Sequence, residues 1–363
     1  MKIVYDYRIF YLQKYGGISK YFTQIFERIN KSYDAKIIAP IYLNNYLKNS
    51  NDSNIIKFFF LKNHYKYTRS LCTFLNKNTF KNYIKFIKPD IIHLTYFDRE
   101  VDFNSNAKIV VTVYDLIHEI FENKYNFKYP KNFKKKYLER ADHIICISNN
   151  TKKDLIKFYG IDEKKISVIS LGYNKSKDFK KLDYEYLNFP YLLVVGDRKN
   201  YKNFDNFLRA YAKSKTVFEN INIVCFGGGP ISNEENELIL ELGIENKKIY
   251  FINGDDLELN YVYKKAKLYV CPSLYEGFGL TILESMNMGC PVICSNTSSF
   301  QEVGGNAVEY FDPYNVEDMS KKIEKLISSE KELNLQKDKH IDHLARFSWD
   351  NTSKKTLEVY EKI

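Results

Sequence analysis

The sequence predicts an α/β chain of two successive domains, each a parallel sheet wrapped by crossover helices. Three observations predict it. The 363 residues exceed what one ordinary core accommodates. Short apolar runs alternate with segments of helical period, the pattern that parallel strands joined by helices require. That alternation fades across a polar stretch, 175–188, and then restarts, which places a linker there.

In order along the first half, Lys2–Tyr5, Ala35–Pro40, Ile55–Leu61, Ile91–Leu94, Lys108–Tyr114, His143–Ile147 and Ile166–Ile169 read as strands. Ile18–Ile29, Arg69–Ile87 and Asn149–Tyr159 read as the helices between them. In the second half the strands are Tyr191–Val195, Ile221–Phe226, Lys248–Ile252, Leu268–Cys271, Pro291–Cys294 and Val308–Phe311. Their helices are Phe204–Lys213, Asn233–Leu242, Leu257–Ala266 and Thr281–Met288. A last helix, Asn351–Lys362, carries Leu357, Val359 and Tyr360, enough apolar surface to dock on a neighbour. The expected domains are 1–178 and 185–347, both doubly wound and Rossmann-like.

Charge is uneven. Residues 1–180 hold 33 Lys+Arg against 17 Asp+Glu, net +16, and the remainder is net −6, together the overall +10. A basic first half suits an anionic partner, a membrane leaflet or a phosphorylated acceptor, or else is a solvated lysine-rich surface. No run approaches the roughly 18 uncharged apolar residues of a membrane helix, and Met1–Tyr5 leads straight into strand-like sequence, so a soluble, cytoplasmic protein is expected, with peripheral contact at the inner face of a membrane. Most of the six cysteines lie in apolar runs and read as small hydrophobes. Cys290 and Cys294 lack the partners of a metal site.

The strongest chemical signal is Cys271-Pro272-Ser273-Leu274-Tyr275-Glu276-Gly277-Phe278-Gly279-Leu280-Thr281-Ile282-Leu283-Glu284. A strand ends at Pro272, a glycine-containing loop follows and a helix starts near Gly279, so loop amides and a helix N-terminus can face an anion. A second element, Gly196-Asp197-Arg198-Lys199-Asn200-Tyr201-Lys202-Asn203, follows the first strand of the second domain, where doubly wound sheets bind ligands. Arg198 and Lys202 there suit a diphosphate, one as a fork and one as a point charge.

The first of these segments resembles the paired-glutamate motif of the retaining glycosyltransferase family 4, whose members have the two-Rossmann GT-B fold with a cleft between the domains. The resemblance implies that Glu276 contacts the donor sugar and Glu284 the nucleotide ribose. It places Gly277 and the amides of Phe278, Gly279 and Leu280 near sugar and diphosphate. Arg198 and Lys202 resemble the family's pair that stabilises the leaving nucleoside diphosphate. Gly16 and Gly17, in Tyr15-Gly16-Gly17-Ile18-Ser19 straight after the first strand, resemble the family's glycine loop, and Asn253 follows a strand where members hold the base. Phe347-Ser348-Trp349 and its helix, about 348–363, resemble the tail that crosses back to the first domain.

The first domain departs from the pattern. In Val111-Thr112-Val113-Tyr114-Asp115-Leu116-Ile117-His118, Tyr114 stands where members often carry the histidine of a His-Asp pair. His118 either takes over part of that role or is a loop histidine. His93, ending another strand, either lines the acceptor side with Tyr114 and Asp115 or is structural. Ser148 reads equally as a helix cap.

No Asp-x-Asp triplet occurs, so the resemblance implies a reaction without metal or other cofactor, with retention of anomeric configuration. The substrates are a nucleotide-sugar donor and a saccharide or lipid-linked acceptor. Tyr5-Asp6, Tyr15 to Tyr21 and Tyr201-Lys202-Asn203 look most like bacterial mannosyltransferases of surface polysaccharide assembly, which implies GDP-mannose. Against a nucleic-acid binder stands the lack of a reading motif, and against a nicotinamide enzyme the lack of Gly-x-Gly-x-x-Gly. A sugar-nucleotide epimerase of the same fold would not predict Glu276 and Glu284 at this spacing.

Overall fold

The computed structural model describes residues 1–63, 68–97, 105–125 and 131–363. The chain divides into two compact units: Met1–Gly172 with Ser348–Ile363, and Tyr173–Phe347.

Unit one contains strands β1 (Lys2–Tyr5), β2 (Asp34–Ile38), β3 (Ile41–Tyr42), β4 (Ile55–Ile56), β5 (Phe59–Phe60), β6 (Ile91–Leu94), β7 (Lys108–Val113), β8 (His143–Cys146) and β9 (Ile166–Val168). Its helices are α1 (Arg8–Leu12), α2 (Gly17–Ile29), α3 (Asn45–Asn49), α4 (Arg69–Ile87), α5 (Ile117–Ile120), α6 (Lys131–Arg140) and α7 (Asn149–Tyr159). Seven strands form one parallel sheet, β4-β2-β1-β6-β7-β8-β9, and β3 pairs with β5 in a separate parallel ribbon. Every residue of β6 and β8 is buried, as expected of central strands covered on both faces.

The expected strand Ile55–Leu61 is corrected to two. β4 joins β2, whereas β5 joins β3, because the amides of Phe58 and Phe59 both donate to the Pro40 carbonyl and turn the chain. Gly16 and Gly17 do not follow β1 directly either, since α1 intervenes.

Unit two contains β10 (Tyr191–Val195), β11 (Asn222–Phe226), β12 (Ile249–Ile252), β13 (Leu268–Cys271), β14 (Val292–Ser295) and β15 (Glu309–Phe311), all parallel in the order β12-β11-β10-β13-β14-β15. Its helices are α8 (Phe204–Lys213), α9 (Lys215–Asn220), α10 (Asn233–Glu241), α11 (Asp256–Lys265), α12 (Leu280–Asn287), α13 (Phe300–Gly304), α14 (Val316–Ile327) and α15 (Glu330–Leu344). Leu192, Ile223, Val270 and Ile293 of the sheet share one core with Phe207, Met319 and Ile323. In each unit the strand order reverses beside its first strand, between β1 and β6 and between β10 and β13. Loops leave these neighbours toward opposite faces, opening a crevice at their carboxyl ends.

The last helix, α16 (Trp349–Lys362), belongs to unit one. Arg28 of α2 donates to Asp350 at 2.6 Å, and Thr352 Oγ1 donates to the Ser170 carbonyl at 2.8 Å. Gly172 makes the approach sterically feasible: a Cβ there would lie 2.2 Å from the Trp349 nitrogen. The stretch 175–188, expected as a linker, is part of unit two. Lys180 pairs with Glu258 at 2.7 Å and Tyr186 stacks on Tyr250, so polar sequence here reflects a surface strap. Among the described residues no helix is long and apolar enough to cross a membrane.

Candidate active site

At the strand-order reversal of unit two, the two loops singled out from the sequence meet. Lys202 closes a short 3-10 turn after β10, and its ammonium donates to Glu276 Oε1 at 2.6 Å. The same oxygen accepts from Ser273 at 2.8 Å. The loops are tied by Leu274 N–H to the Tyr201 carbonyl at 2.7 Å and by Asn203 Nδ2 to the Pro272 carbonyl at 3.1 Å. Burial pulls the Lys202 pKa down, but Glu276 beside it more than compensates, so the ammonium is held above the ordinary lysine range and stays charged. An ammonium has three donors, leaving capacity for an anion beside Glu276.

The backbone here is unusual. Asn200, Asn203 and Ser298 all adopt positive φ, at 56°, 59° and 52°. Such conformations cost energy and persist where the surroundings enforce them, commonly at functional sites. Gly279, at φ 101°, starts α12, and no side chain caps that helix. By contrast Ser232 and Asp255 cap α10 and α11. The first amides of α12 therefore point out of the helix without a side-chain acceptor, an arrangement suited to phosphate. Gly277, Phe278 and Gly279 are buried, while Leu280 and Glu284, within the first turns of α12, are half-buried.

Arg198 does not join Lys202. It turns into the unit: Nε donates to Glu235 at 2.8 Å, Nη1 to the Gly227 carbonyl at 2.9 Å, and Nη2 to the carbonyls of Gly229 and Pro230 at 3.2 and 3.1 Å. Its side chain is 2% exposed and lies over the Phe251 ring. The expected phosphate contact is thus replaced, in this arrangement, by a brace that ties α10 and the 227–230 loop to β10. Asn253 is exposed after β12, the far edge of the sheet, away from the reversal point.

In unit one, Gly16 and Gly17 begin α2, and a Cβ on Gly16 would overlap the Gln13 carboxamide. His93 lines no accessible edge. It is fully buried, with Nδ1 at 2.5 Å from Tyr360 Oη and Nε2 at 2.8 Å from Thr112 Oγ1, and burial lowers its pKa to about 3. Tyr114 is also buried, its hydroxyl 3.5 Å from the Thr95 carbonyl, and burial pushes its pKa well up. Asp115 accepts from the Ile117 amide at 3.1 Å. His118, on the short α5, has a lowered pKa from burial and from the Lys134 charge. Ser148 caps α7 by accepting from the Thr151 amide at 3.0 Å.

Sequence reasoning missed three groups. Asp6 and Arg8 form a buried ion pair at the end of β1, and Asp6 also accepts from the Thr95 amide, after β6, at 3.0 Å, so the pair spans the reversal point of unit one. Lys134 is buried against Glu119 at 3.0 Å and donates to the Asp115 carbonyl at 3.0 Å, while Tyr159 donates to Glu119 at 2.5 Å. In unit two, Thr297, Ser298 and Ser299 bind Leu274, Glu276 and Phe278 of the glutamate loop through their hydroxyls at 2.8–3.0 Å. The polar run 296–299 after β14 was the available signal for the last group.

Comparison with known proteins bears on the family and the fold. A family profile described as "Glycosyl transferases group 1" matches residues 174–341, and one described as "Glycosyltransferase Family 4" matches residues 15–177. The O-antigen chain mannosyltransferase RfbU of Salmonella typhimurium is 30% identical over 237 residues, 62% of this chain and 64% of that protein. The serotype-specific mannosyltransferase WbdA of Escherichia coli is 27% identical over 310 residues, 76% of this chain but 37% of its own length. This chain thus spans less than two thirds of either relative. A glycosyltransferase structure from Rickettsia africae superposes with a TM-score of 0.73 at 22% identity, covering 99% of this chain and 98% of that one. The lipopolysaccharide glycosyltransferase WaaG does so at 0.73 and 13% identity, covering 99% of each chain. With consecutive profile matches over both units and the GT-B fold throughout, the chain belongs to glycosyltransferase family 4.

Proposed function

We propose that this glycosyltransferase moves mannose from GDP-mannose, with retention of configuration, onto a saccharide or lipid-linked saccharide during surface polysaccharide assembly. The observation that carries the reading is the Lys202–Glu276–Ser273 constellation beside the uncapped start of α12, the helix that carries Glu284. The O-antigen mannosyltransferases among the relatives favour mannose as the sugar.

In this mechanism Lys202 and the first amides of α12 stabilise charge that develops on the departing diphosphate, a preorganised electrostatic contribution. Glu276 holds sugar hydroxyls and orients Lys202, and Glu284 takes the ribose. The leaving phosphate accepts the proton of the acceptor hydroxyl as the glycosidic bond to the nucleotide breaks and the new one forms on the same face. No metal or other cofactor takes part, and no nucleic acid is a partner. His118 and Asp115 serve the acceptor side. The basic unit one meets anionic lipid at the cytoplasmic face of a membrane.

The test is a thermal-shift panel of GDP, UDP, ADP and their sugars, without added metal, on the wild type and on Glu284→Ala. A shift specific to GDP compounds and lost in the variant supports the donor, a shift for another nucleotide replaces it, and none at all overturns the transferase reading. NMR of the product's anomeric proton tests retention.

A further inference from the structure

Helix α4 is apolar on two faces, and only one of them is used by the fold. Cys72, Asn76, Phe80 and Ile84 recur at every fourth position and are buried. Asn76 fastens the helix to β3, exchanging hydrogen bonds with the amide and carbonyl of Ile41 at 2.8 and 2.9 Å. On the opposite side, Leu71, Phe74, Leu75 and Phe86 are exposed, Phe74 by 61% and Phe86 by 86%. Phe74, Leu75 and Phe86 follow Leu71 by three, four and fifteen positions, which at 3.6 residues per turn sets all four within about a third of the helix circumference. The adjoining ribbon adds exposed Phe58 and Phe59.

Charge identifies the partner. Between Asp52 and Asp90 the sequence holds eight Lys+Arg and no Asp or Glu. In α4 the cations Lys77, Lys81 and Lys85 recur at every fourth position along one edge of that stripe, so the apolar surface is bordered by one sign of charge. A second copy of this surface would meet it with like charge. An anionic lipid leaflet satisfies both features, taking the apolar side chains at the headgroup boundary and the ammonium groups at its phosphates.

We infer that the outer stripe of α4, with the β5 edge, is the face on which this protein docks to an anionic membrane surface. This deepens the proposed function by naming the surface that meets the membrane. α4 carries none of the residues assigned to the donor site.

The test is co-sedimentation with vesicles of phosphatidylcholine alone and of phosphatidylcholine mixed with phosphatidylglycerol. The wild type binds the anionic vesicles preferentially. Each lysine near such a surface contributes about fivefold in partition, so Lys77→Glu/Lys81→Glu/Lys85→Glu lowers binding at least tenfold. Leu71→Ser/Phe74→Ser/Phe86→Ser leaves only weak binding that salt removes. A Phe74→Trp variant gives a second readout that does not depend on loss: its emission moves to the blue on adding anionic vesicles, while Trp349, 3% exposed, stays silent. Equal binding to neutral vesicles, unchanged binding by both triple variants, or no emission shift overturns the inference. So does a wild-type dimer that the patch variants convert to monomer, which assigns the face to a second copy. Nucleotide thermal shifts on the same variants remain those of the wild type, so loss of vesicle binding and failure of the transferase reading are separate results.

Discussion

The two strand-order reversals are built from similar backbone and opposite chemistry. In unit two the charged groups at the crevice, Lys202 and Glu276, are partly exposed and converge on each other and on buried Ser273, beside helix amides that lack a cap. In unit one the equivalent position is closed by a buried Asp6–Arg8 pair tied to Thr95. Half-buried charges can still exchange partners with a ligand. Fully buried ones cannot do so without exposing an unpaired partner. The comparison teaches that topology nominates both crevices, whereas only the state of the polar groups separates a site ready to bind charge from one already satisfied.

The sharpest way to break this contrast is at Arg198, which the structure treats as a buried brace. Arg198→Met leaves Glu235 buried without its cation, and the expected loss is about 3–5 kcal/mol in denaturant unfolding. If stability is instead retained while donor turnover collapses, Arg198 is a phosphate ligand after all. Lys202→Met is the mirror case. Turnover is expected to fall about 10²–10³-fold, as when one preorganised donor is removed from a reacting charge, with stability little changed; stopped donor-hydrolysis or transfer assays measure it. Gly172→Ala places a methyl against the Ser348–Trp349 backbone and is expected to cost about 1–3 kcal/mol through overpacking. Hydrogen exchange then rises across α16 in particular; uniform exchange would refute the local explanation.

The smallest effect is a pH dependence in unit one. His93 in the folded chain is depressed from 6.5 to about 3 by burial, so the unfolded chain takes a proton first as pH falls. Stability is intact above pH 6.5 and is lost as pH drops from 6.5 toward 3. Between pH 6.5 and 5.5 the expected loss is about 1 kcal/mol. His93→Gln flattens that limb in urea titrations, and an unchanged limb would mean that another group, such as buried His340, carries it.

Much of this was legible in advance. Alternating apolar runs specify parallel strands and crossovers because both faces of such a sheet are covered, and Ala35, Ile91 and Leu192 fell where the pattern put them. The glutamate loop was legible because its glycines and spacing are local. Arg198 was not. Its fate depends on Glu235, far along the chain, and on a turn whose positive φ values at Asn200 and Asn203 direct Arg198 and Lys202 to different neighbours. Proximity in sequence to Lys202 carries no such information. The sequence left His93 open between an acceptor-side and a structural role for a related reason: its partners Thr112 and Tyr360 come from β7 and α16, so its burial is a tertiary fact. The break within Ile55–Leu61 was hidden because both halves are apolar and only the hydrogen bonds to Pro40 divide them.

The membership of α16 in unit one also orders events during synthesis. Unit two is a continuous segment, complete once residue 347 has been made, whereas unit one waits for residues 348–363 to cover α2. At about 5–20 residues per second, the first 172 residues spend on the order of ten to forty seconds without their closing helix. Unit one therefore cannot finish folding before the whole of unit two has been made, and the exposed flank of α2 is the surface a ribosome-associated chaperone would have to shield in the interval.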